Sequence, residues 1–136
     1  MAKSWEEKFN NGKEPIVKRL DKKFADIPEG ANMLIASPQV IADYLKQIPK
    51  GYETDIKKIR VDLANEYGAE YTCPVTTAIF LRTVSEYAHE QLEKGTPDSA
   101  IPPFWRALDP KSKVLEKLTF GKDFVQKKRR EEGLAA

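Results

Sequence analysis

Two consecutive prolines, Pro102 and Pro103, stand in the run SAIPPFWRALDPKS between Ser99 and Ser112. Proline has no amide donor and holds φ near about −65°, so no helix runs through this point. The chain must break here, and the break carries two adjacent large aromatics, Phe104 and Trp105, followed by Arg106. Two readings stay open. The aromatics are core packing in a loop, or the stretch is a degenerate copy of a reactive-site motif.

On the N-terminal side of the break the pattern is helical. Ser37 and Pro38 form an N-cap and first-turn pair that opens a helix over PQVIADYLKQI, ending before Pro49. A second helix is predicted from about Thr54 to Tyr67, closed by Gly68, with Ile56, Ile59, Leu63 and Tyr67 as its buried stripe. A third runs from about Pro74 to Lys94, closed by Gly95, with Thr77, Phe80, Leu81, Val84, Ala88 and Leu92 facing the core. NMLIA, ahead of all three, reads as a short strand. Residues 1–30 are charge-rich and broken by Gly12, Pro15, Pro28 and Gly30. They read as an appended arm whose amphipathic piece, IVKRLDKKF, is expected to dock Ile16, Leu20 and Phe24. Beyond the prolines, KSKVLEKLTFG is either an extended wing or a short helix, and KDFVQKKRREEG is a final helix. The expected architecture is mostly α with a small β component: a winged helix-turn-helix-like domain over 31–136, with the arm at 1–30.

Composition narrows the function. A content of 40% hydrophobic and 32% charged residues fits a globular chain. No apolar run approaches the roughly 20 residues of a membrane span, and MAKSWEEKFNNGKE lacks the apolar core of a secretory signal. Cys73 is the single cysteine, so no internal disulfide forms, and a cytoplasmic location is the default expectation. With His89 the only histidine, no zinc site or other metal or cofactor is expected. The net charge is only +2, so affinity for nucleic acid must come from a local patch.

Opposite its core face, the third helix gathers Ala78, Arg82, Ser85 and His89. Small residues beside one arginine suit a recognition helix in a DNA groove. The plainer reading is that Arg82 is a solvated helix charge. Glu86 and Glu90 fall on the same side and oppose phosphates. Lys50, Lys57, Lys58 and Arg60, with Lys127 to Arg130, are candidate phosphate contacts, although KKRR equally suits a solvated helix end favoured by the dipole. Cys73 precedes the third helix with no base near it in sequence, and is read as a structural or capping thiol.

The order of the pieces VIADYLKQIPKG, IRVDLANEYGA, FLRTV, IPPFWRAL and EEG, across roughly residues 38–133, resembles the C-terminal domain of the alkylguanine-DNA alkyltransferases. It is similar also to their non-enzymatic relatives, the alkyltransferase-like proteins. The resemblance implies double-stranded DNA as the partner, nucleotide flipping with Arg82 as the finger that fills the gap, and a repair-signalling protein downstream. It sets PFWR on the family's P-C-H-R: Pro103 and Arg106 match, Phe104 stands at the nucleophilic cysteine and Trp105 at the histidine. Those four residues are thereby expected to form a base pocket, with Glu132 at the family's glutamate and Arg60 where the family has a helix tyrosine. Alkyl transfer needs a thiolate, which phenylalanine cannot supply, so the expectation is a non-enzymatic protein that senses modified bases. The alternative is an interaction module that kept the fold and lost DNA affinity.

Overall fold

The computed structural model describes residues 3–136. Three short strands form one mixed sheet in the order β1-β2-β3: β1 (Ile16–Arg19), β2 (Asn32–Ile35) and β3 (Tyr71–Thr72). β1 runs antiparallel to β2 with Ile16 opposite Ile35, and β3 runs parallel to β2 with Met33 opposite Tyr71. Six α-helices surround it: α1 (Trp5–Phe9), α2 (Pro38–Lys46), α3 (Ile56–Tyr67), α4 (Pro74–Glu93), α5 (Lys113–Lys117) and α6 (Asp123–Glu131). The molecule is thus mostly helical with a small sheet.

The helices start and stop where capping chemistry dictates. Ser37 Oγ accepts the Val40 N–H at 3.2 Å to open α2. Asp55 caps α3 through the Lys58 N–H at 2.8 Å, and Gly68 ends it at φ +67°, a left-handed conformation that suits glycine. Cys73 caps α4, its sulfur accepting the Thr76 N–H at 3.5 Å, and Pro74 fills the first helical position.

Two expectations are corrected. IVKRLDKKF is not a docked amphipathic piece: residues 16–19 form β1, Leu20 is buried, and Ile16 and Phe24 are exposed. Pairing with β2 satisfies this backbone across residues far apart in sequence, a contact that local periodicity does not register. Of the two readings of KSKVLEKLTFG, the short helix holds and the wing of the expected winged architecture does not. Ser112 caps the short helix α5, and every strand among the described residues precedes α4.

The main core joins Leu34, Ile41, Leu45, Ile59, Leu63 and Leu81 to Phe104, Leu108, Leu115 and Val125. Burying each such side chain contributes about 1.5–3 kcal/mol. A smaller cluster of Leu20, Ile27, Ala31, Met33 and Cys73 ties the β1–β2 hairpin to the start of α4. That second cluster positions the surface described next.

Candidate nucleic-acid interface

The PPFWR stretch folds as a single 3-10 turn over Phe104–Ala107, which drives its aromatics inward. Phe104 has no exposed surface, Trp105 is 4% exposed, and Pro103 is buried. The Phe104 ring packs on Phe124 at 5.8 Å and Phe120 at 6.0 Å between centroids. The expected base pocket of Pro103, Phe104, Trp105 and Arg106 is therefore corrected: the first three are core, Arg106 is half-buried in an ion pair with Glu132, and Phe120 and Phe124 pack beside the Phe104 ring.

What the stretch builds instead is a brace around Glu132. Its carboxylate accepts the Trp105 Nε1–H at 2.8 Å, Arg106 Nε and Nη2 at 2.9 and 3.0 Å, and the Gly51 N–H at 3.0 Å. Burial pushes this carboxyl up, but the bonds from Arg106, Gly51 and Trp105 outweigh it and hold the group at about 2. Arg106 Nη1 also donates to the Ile48 carbonyl at 2.6 Å. Arg129, read with KKRR as a solvated end, is 1% exposed; it donates to the Trp105 carbonyl at 2.9 Å and pairs with Glu53. Lys128 pairs with Asp98. The basic residues of KKRR thus split between internal pairs at Lys128 and Arg129 and open surface at Lys127 and Arg130.

Several candidate contacts on α3 and α4 prove to be internal. Ser85 is fully buried and donates to the Leu81 carbonyl at 2.8 Å, because one turn beyond Leu81 the helix still faces the core. Glu86 is buried and accepts the Thr119 N–H at 2.9 Å, so it does not confront phosphates. His89 stacks on Phe120 at 3.8 Å and lies 3.2 Å from Glu93. Arg60 is clamped by Asp26 at 3.0 and 2.8 Å and by the Thr72 carbonyl at 2.8 Å. Lys58 pairs with Asp62 at 3.1 Å. The Tyr44 hydroxyl donates to the same carboxylate at 2.5 Å, and burial, then Asp62, pushes this phenol up to about 12. Cys73 is buried, as its capping role requires.

What remains open is the N-terminal half of α4. Val75 and Ile79 are 50% and 52% exposed, with half-buried Ala78 between them. Three shallow depressions meet at Val75, with volumes of about 530, 710 and 530 Å³. Lys8, Arg82 and Lys117 line the first, and Lys57, Lys111 and Lys113 the second. The third, beneath the hairpin, has Lys18, Arg19, Lys22 and Lys23. The acids among the three linings are Asp21, Asp55 and Asp109. This face therefore holds 10 of the 23 basic side chains against 3 of the 21 acidic ones. The rest of the molecule is left with a net negative charge. Among the described residues, Arg82 is the one member of these ten in an ion pair.

Of the predicted contacts, the structure brings together Ala78, Arg82 and Lys57 on this face. Sequence reasoning missed the hairpin cations, about fifty residues upstream of α4. The signal that places them is the pairing of β1 with β2 and the Cys73 N–H bonded to the Leu34 carbonyl at 2.8 Å. No described helix is long and apolar enough to cross a membrane. No family model, curated protein or solved structure matches this chain.

Proposed function

We propose that this chain is a non-enzymatic duplex-DNA-binding module that docks through the Val75-centred face of α4. The observation that carries the reading is the segregation of charge: ten cations, nine of them outside any ion pair among the described residues, line that face on three sides while the rest of the chain is net negative. Lysines and arginines so placed contact phosphates and fix register, and each contact releases counterions. Ala78 lets the helix approach closely, and Val75 and Ile79 offer aliphatic surface of the kind that meets thymine methyl groups in a major groove. The order α3, a connection over 68–73 that includes β3, then α4 is compatible with α4 serving as a recognition helix.

The resemblance to alkyltransferase-like proteins supports the same partner. Alkyl transfer has no support: Phe104 carries no nucleophile, and Cys73 is a buried helix cap on a different element. The test is fluorescence anisotropy with a labelled duplex, plain or carrying one guanine alkylated on its exocyclic oxygen, across a salt series. Binding that weakens steeply with salt is expected, with a log–log slope of about −0.9 for each phosphate contacted. A preference for the alkylated duplex would extend the function to lesion sensing. Absence of binding at low salt would remove the DNA reading. It would favour a protein partner on the exposed aliphatic surface of Val75 and Ile79.

A further inference from the structure

Arg82 differs from the other cations of this face in being covered. Its guanidinium carbon lies 5.2 Å from the centre of the Trp5 ring, and its Nε stands 3.5 Å from a Glu86 oxygen. That Nε is shut off from solvent and makes no hydrogen bond. Trp5 is delivered by α1, whose fold is local. Ser4 Oγ accepts the Glu7 N–H at 3.1 Å, and Glu7 in turn accepts the Ser4 N–H at 3.2 Å. Lys8 Nζ also lies 4.3 Å from the centre of the Trp5 ring, and Phe9 packs on Tyr87 at 5.1 Å.

This element is weakly held. A helix of five residues has no stability of its own. None of its residues is fully buried, and the link through residues 12–14 to β1 is exposed. Its first turn also carries two exposed carboxylates, Glu6 and Glu7. An indole lying on a guanidinium makes the contact that a nucleobase would make with the same group.

We infer that α1 is an intrasteric strap: Trp5 occupies the stacking site on Arg82 that a base of the bound nucleic acid takes when α1 moves aside. The inference rests on the duplex-binding reading and adds its regulation. Displacing the strap frees the aromatic-stacked face of the Arg82 guanidinium for the base.

The experiment measures anisotropy of one labelled duplex with the full-length wild type, Trp5→Ala and Trp5→Phe, each with and without Arg82→Ala. Trp5→Ala is expected to tighten binding about threefold, the size of a lost cation–π contact, while Trp5→Phe keeps an aromatic face and stays near wild type. Arg82→Ala is expected to weaken the Trp5→Ala protein and to change the wild type little. A second readout needs no variant: Trp105 is buried, so tryptophan quenching by acrylamide reports Trp5 and is expected to rise as duplex saturates the protein. Unchanged or weaker binding by Trp5→Ala, or quenching that stays level or falls, overturns the strap while leaving duplex binding intact. Failure of every protein to bind at low salt overturns the duplex reading itself, and the strap with it.

Discussion

Glu132 takes four hydrogen bonds from three residues in two separate parts of the chain, and its side chain is only 6% exposed. Removing its charge leaves the Arg106 guanidinium, itself 14% exposed, without a counter-ion. Glu132→Gln is therefore expected to cost about 3–5 kcal/mol, read as a lower midpoint in urea unfolding. The pH dependence has a definite sign. The folded carboxyl titrates at about 2 against an ordinary value of 4.5. Its contribution is fully present above the ordinary value and is lost as pH falls through that interval, so acid unfolding of the wild type should steepen there. In Glu132→Gln that component should vanish. At the other end of the brace, Phe104→Cys supplies the missing sulfur without the missing environment. The cavity left by the ring is expected to cost about 3 kcal/mol, and no label should pass from an alkylated guanine to the protein. Mass spectrometry after incubation with alkylated duplex reads the second outcome directly.

At the scale of elements, capping and punctuation are the features the sequence displays plainly. Ser37–Pro38, Gly68 and Gly95 place the start of α2, the end of α3 and the end of α4, because each acts through its own backbone. The faces of α4 are less legible. A helical projection sets Ser85 opposite the core, but the packing around Phe120 and Phe124 wraps far enough to bury Ser85, Glu86 and most of His89. The hairpin is the other element that local pattern conceals, since a period of four in IVKRLDKKF also fits a strand and turn once β2 supplies the bonds. Its functional weight can be measured. The double substitution Lys22→Ala and Lys23→Ala is expected to shorten the salt slope of duplex binding by about 2, whereas Lys127→Ala with Arg130→Ala should leave it unchanged. Equal effects from the two pairs would mean that binding is diffuse rather than seated on the α4 face.

For the molecule as a whole, a net charge of +2 conceals a division that only folding creates. Along the chain the basic run that stands out is KKRR at 127–130, and none of its four residues lines the α4 face. The ion pairs at Arg60–Asp26, Arg106–Glu132 and Arg129–Glu53 draw charge of both signs away from the α4 face, leaving its lysines uncompensated. This division governs how many polyanions one molecule can hold. With these cations gathered on one face and the rest of the chain net negative, a bound copy is expected to repel a second duplex more than it attracts one. On the duplex-binding reading such a protein sheathes DNA without bridging it, and cannot condense strands into bundles however much of it accumulates.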